Sequence, residues 1–171
     1  ATPPPARTTN PTVPAQGPRI KRRRLYVSWK RTSPHPMMTL FDAPDRESSC
    51  VQRSRSNTAL QSLGLFNETQ RVEMARILAE RLVRAGDSDD ERLDWLFTML
   101  ASRQPTEVER RACSQLLTKL LERYRSDTDG AQALLSLGDA PVDKQLDPAE
   151  VAAWTQVAIM VLASDVAILV Y

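Results

Sequence analysis

The chain has 171 residues, enough for one domain plus a tail, and a net charge of +2, with 42% hydrophobic and 26% charged residues, which is ordinary for a soluble domain. Only five glycines and three each of Trp, Tyr and Phe, beside abundant Ala and Leu, lean it toward helix and away from a barrel or sandwich. Cys50 and Cys113 stand apart without CxxC or CxxCH spacing, so neither a zinc knuckle nor a covalent haem site is built from them.

The small net charge conceals a split. Residues 1–55 hold eleven Lys or Arg against three acids, and residues 56–171 hold twelve against eighteen. A basic arm of this kind reaches for phosphate or anionic lipid, or docks on the protein's own acidic body, and self-docking is the reading preferred. The chain begins at Ala1 with no signal-peptide pattern and reads as a piece of a longer protein.

In chain order, residues 1–24 form a Pro-rich and then basic linker. Six of the twelve prolines fall before residue 21, and too few large apolar side chains accompany them to offset the entropy of ordering. Lys21-Arg22-Arg23-Arg24 is one short cluster without a groove-binding motif, so nucleic-acid binding is not favoured. Residues 25–57 read as an extended or irregular arm packed on the body. Leu25-Tyr26-Val27-Ser28-Trp29 is its strand candidate, and Pro34 and Pro36 force an irregular path around His35.

Asp42 and Asp45 bracket Ala43-Pro44, where an aspartate accepts from the donors of a turn. A calcium loop is not continued, because Arg46 follows at once. Arg53 and Arg55 lie two apart in extended chain, which projects both guanidinium groups to one side, and Asn57 or Thr58 caps the next helix.

The helical domain spans 58–171, a compact bundle of about five to six helices. Ala59 to Leu65 is the first, and Asn67 caps a second from Glu68 to Arg84 with Val72, Ala75, Leu78, Ala79 and Leu82 on one face. Glu80 and Arg84 support that helix from its other face. Asp87 or Ser88 opens a third, with Glu91 completing a capping box and Leu93, Leu96, Phe97 and Leu100 inward. Thr106 with Glu109 repeats the box and starts a helix to Ser126, striped by Ala112, Cys113, Leu116, Leu117, Leu120 and Tyr124. Gly130 to Leu137 is a short helix.

Asp147-Pro148-Ala149-Glu150 starts the last helix, Val151 to Val170, read as a core helix and not a membrane span because Thr155, Gln156, Ser164 and Asp165 interrupt it. A continuous helix puts Asp165 on the apolar stripe of Trp154, Ala158, Val161 and Leu162. A carboxylate there needs a partner, and Arg53 or Arg55 is the expected one. With Gln61 just inside the first helix, the candidate polar cluster is Asp42, Asp45, Arg53, Arg55, Asn57, Gln61 and Asp165. No catalytic, cofactor-binding or metal-binding arrangement stands out.

Lys30-Arg31-Thr32, Phe41-Asp42-Ala43-Pro44-Asp45, Arg53, Arg55, Asn57-Thr58, Leu60-Gln61, Asn67, Ala75 and Leu78-Ala79-Glu80-Arg81-Leu82 together resemble the planctomycete-type C-terminal domain of unknown function, number fifteen-fifty-three in its series, over about residues 22–165. The resemblance implies a place behind a cytochrome-c-like domain and a second uncharacterised domain in a large, extracytoplasmic bacterial protein, with haem possible upstream and none in this chain. The ending departs from that family's Leu-Asn-Leu-Asp-Glu pattern, with Ala163 for Asn and Val166 for Glu, while Asp165 keeps its place.

The leading expectation is therefore a mostly α, non-catalytic module that packs on the upstream domains or meets a protein or polysaccharide partner. The alternative is part of an enzyme in which Asp42, Asp45, Arg53 and Arg55 line a cleft completed upstream, with the carboxylates moving protons for a carbohydrate or other polar substrate.

Overall fold

The computed structural model describes residues 36–44, 49–52, 56 and 58–168. Among them are eight helices and no strand. The expected strand at Leu25–Trp29, and Asp45, Arg53, Arg55 and Asn57, lie outside the described residues.

The first helix, α1 (Pro36–Leu40), falls within the arm expected to be extended or irregular, while residues 32–35 lie outside the described residues. Pro36 is its first residue, a position where the missing N–H costs nothing and φ is already helical. It leads to α2 (Ala59–Asn67), capped by Thr58 in a reciprocal box with Gln61. A Cβ on Gly64 of α2 would overlap Leu40 Cδ2, so the glycine allows α1 to lie against α2.

Next come α3 (Thr69–Ala85), α4 (Asp89–Ala101) and α5 (Glu107–Ser126). Asn67 does not cap α3. It remains in α2, and Glu68, extended at φ −73° and ψ 118°, ends one helix and begins the next without a side-chain cap. The α4 cap is Ser88, whose Oγ accepts from Glu91 N. Asp89, Asp90 and Glu91 follow in the first turn, where the helix dipole favours negative charge. The carboxylate of Glu91 accepts from Asp87 N and so closes the turn one residue earlier than a box would. The box at Thr106 and Glu109 is complete and opens α5.

A cap at Asp127 starts α6 (Thr128–Leu135) two residues before the expected Gly130. After a loop, Asp147 accepts from Ala149 N and Pro148 opens α7 (Pro148–Leu162). Ten of the fifteen α7 residues are buried, and α2, α3, α4, α5 and α6 all touch this helix. It is apolar nearly all round because the bundle surrounds it. Its Trp154, Val157 and Ala158 meet a core that includes Leu82, Leu93, Leu96 and Leu117. Each such leucine contributes about 1.5–3 kcal/mol by leaving water. No helix among the described residues is long and apolar enough to cross a membrane.

The final helix does not run through to residue 170 as the apolar pattern suggested. Ala163 N donates to Ile159 O and Ser164 N to Val161 O, the chain turns there, and α8 (Asp165–Ile168) starts afresh. That break resets the helical count, so Asp165 is exposed and does not share the buried stripe of Trp154 and Ala158. The bundle expected from sequence is present, with α1 and α8 in addition to its six longer helices.

Candidate functional site

The stretch that carries the family resemblance contributes two of the expected polar residues, and the fold brings them together. The end of α1 explains how. Ala43 N donates to Met38 O at 2.9 Å, a helix-ending bond that places the residue before it in the left-handed region. That residue is Asp42, at φ 55°, a conformation that a short polar side chain tolerates better than most.

From there the Asp42 carboxylate reaches Ser56, fourteen residues on. Oδ2 accepts from Ser56 N at 2.8 Å, from Ser56 Oγ at 2.6 Å and from Gln61 Nε2 at 3.5 Å. Gln61 is only 6% exposed. Its Nε2 also donates to Leu40 O and Ser56 Oγ, each at 2.9 Å, and its Oε1 accepts from Thr58 N at 3.0 Å. A buried amide is thus used on both ends, as burial requires.

The result is a latch between the end of α1 and the start of α2. Asp42 Oδ2 bonds a segment fourteen residues away, while residues 45–48, which would complete the turn expected at Pro44, lie outside the described residues. Ser56 is the member that sequence reasoning missed, and its only signal was Asp42's need for donors. Of the remaining candidates, Asp45, Arg53, Arg55 and Asn57 lie outside the described residues, and Asp165 sits exposed on α8.

A second polar cluster arises where an ordinary surface face was expected. Arg76 is 0% exposed, and its Nη1 donates to Glu80 Oε1 at 2.7 Å and to Pro141 O at 3.2 Å, while Nη2 donates to Ala140 O at 2.8 Å. Glu73 Oε1 accepts from Ala140 N at 3.0 Å. Arg84 does not support Glu80 from α3's outer face; it pairs with Asp143 of the same loop. These charges hold the α6–α7 loop against α3.

Arg92 performs a similar task at the C-terminal end of α3. Its guanidinium donates to Glu150 Oε1 at 2.7 Å and to Gly86 O at 3.0 Å, and lies 6.0 Å from the centre of the Trp154 ring. A planar fork with several donors suits such a junction better than an ammonium would. The Glu109 carboxyl is held down at about 2, chiefly by its hydrogen bond with Arg103 and in part by those with Thr106. Burial pushes the Cys113 thiol up, and the charge of Glu109 adds to this. Cys113 is a buried core residue and Cys50 is exposed; both are free thiols.

One cleft of about 470 Å³ lies among Leu65, Glu68, Gln70, Arg71, Met74, Leu162 and Ala167. Its polar rim is an ion pair between Arg71 and Glu68 at 3.6 Å. Among the described residues, no group of three His, Cys, Asp or Glu side chains is placed to hold a metal ion. In the latch, Asp42 Oδ2 faces donors of the chain itself.

No curated protein and no solved structure matches this chain. A family model does, over residues 2–117, which takes in the latch, α1 to α4 and the first half of α5. The departing residues Ala163 and Val166 fall beyond that match. Because the match spans more than half of the sequence, the chain belongs to the PSD1 family, described as a protein of unknown function (DUF1553).

Proposed function

We propose that the chain is a non-catalytic helical module of a larger, extracytoplasmic bacterial protein, and that it works by packing against other domains of that protein or against a protein or polysaccharide partner. The observation that carries this reading is the Asp42 latch. Asp42 Oδ2 receives three donors from Ser56 and Gln61, which commits that oxygen to holding the end of α1 to the start of α2. The same use of charge recurs at Arg76 and Arg92, which tie helices and loops together. The family resemblance supports an upstream cytochrome-c-like domain, with any haem held there.

Two measurements test the proposal. In the longer protein, a module that packs on its neighbours melts with them in one transition, above the melting temperature of this chain alone; separate transitions contradict it. Assays with polysaccharides and chromogenic glycosides are expected to show no turnover. Turnover lost in Asp42→Asn with an unchanged melting temperature replaces the module by an enzyme.

A further inference from the structure

The cleft between α2, α3 and the two last helices takes no part in the latch or in the ion pairs that hold the α6–α7 loop. Its apolar lining is Leu65 from the end of α2, Met74 from α3, Leu162 from the end of α7 and Ala167 from α8. A continuous last helix would turn Ala167 about 140° away from Leu162. The break after Leu162 lets both line one cavity. Its volume of about 470 Å³ falls in the range of roughly 300–1,000 Å³ found for ligand sites.

The rim carries one charge of each sign. Arg71 Nε approaches Glu68 Oε2 at 3.6 Å, beyond hydrogen-bond length, and neither side chain has another polar partner among the described residues. Arg76, Arg92, Arg103 and Arg110, by contrast, spend their N–H groups on oxygens of the chain itself. The donors of Arg71 and the acceptors of Glu68 stand unclaimed beside an apolar floor.

We propose that this cleft is a peptide-binding site, which takes an uncharged apolar side chain from an extended segment of a neighbouring protein domain. The segment's main-chain N–H donates to Glu68 and its carbonyl accepts from Arg71. The assignment rests on the module reading and names the surface through which the module meets its partner.

The pairing of rim charges selects the occupant. An acidic side chain would meet Glu68 and a basic one Arg71, so either is opposed at close range. A peptide group brings a donor and an acceptor on one residue, and both need partners as they leave water. A sugar also brings both, but no aromatic side chain lines this cleft for its ring to stack on.

A titration of the full chain with N-acetyl-leucine N-methylamide, followed by methyl and amide NMR shifts, tests the proposal, because this small molecule carries the apolar side chain and both peptide groups. Saturable shifts at Leu65, Met74, Leu162 and Ala167 are expected, with a midpoint on the order of millimolar for a ligand of this size. Arg71→Ala and Met74→Glu, both at partly exposed positions, are each expected to weaken binding at least threefold, and Val108→Glu on α5 to leave it unchanged. N-acetyl-aspartate N-methylamide and methyl glucoside are expected to bind at least tenfold more weakly. No saturation, shifts centred elsewhere, equal binding of the aspartate derivative or the glucoside, or insensitivity to Arg71→Ala overturns the assignment. Shifts of the same four residues on concentrating the chain alone also overturn it, and give the cleft to a second copy. Joint melting of the longer protein does not enter this readout, so the module reading and the cleft assignment fail separately.

Discussion

Arg76 and Glu80 form a 2.7 Å ion pair across one turn of α3, with both residues buried. The guanidinium also holds two carbonyls of the α6–α7 loop, so this pair connects helix and loop. Arg76→Met leaves Glu80 buried without its cation, at a cost of about 3–5 kcal/mol. Chemical denaturation is expected to show that loss, and Arg76→Met with Glu80→Leu is expected to recover part of it. A double variant less stable than the single one would count against the pair as the origin.

Gly138 offers a second test at the same junction. Its φ of +97° is one that side chains rarely adopt, and a Cβ there would stand 2.6 Å from Glu73 Cγ. Gly138→Ala should destabilise the protein by about 1–3 kcal/mol through backbone strain. Glu73 Cβ is itself 2.7 Å from that point, so Glu73→Gly is the change that removes the contact and leaves the backbone term, and melting curves of Gly138→Ala with and without Glu73→Gly separate the two causes.

Acid titration probes the start of α5. The Glu109 carboxyl lies near 2 in the folded chain, against an ordinary value of 4.5. A depressed carboxyl contributes stability that is complete above its unfolded value and is lost as the pH falls through the folded one. The gap in urea midpoint between the native chain and Glu109→Gln should be widest above 4.5 and should close toward 2. A gap that stays constant across that window would show that Arg103 and Thr106 do not hold the charge.

Local signals in the sequence were read correctly at Thr106 with Glu109 and at Asp147 with Pro148, though not at Asn67, which stays inside α2 and caps nothing. Reading failed where distance along the chain decides. Arg76 and Glu80 look like surface charges until a loop some 65 residues later covers them. Asp165 was misplaced because an apolar run carries no mark of the break at Ala163 and Ser164. The start of α1 was hidden by Pro34 and Pro36, since a proline can break a chain or open a helix. Within the candidate cluster, Asp42 and Gln61 were legible as polar residues near a helix start, and Ser56 was not, because only the folded path brings it to them.

The central claim is that Asp42, Ser56 and Gln61 form a joint and not a reaction centre. A double-mutant cycle of thermal unfolding with Asp42→Ala and Ser56→Ala tests it most directly. The account predicts that each single change destabilises the protein by about 1–3 kcal/mol and that the pair together costs less than the sum, because they share one interaction. Unaltered unfolding in all three variants, with loss of a bound ligand or of turnover, would contradict it.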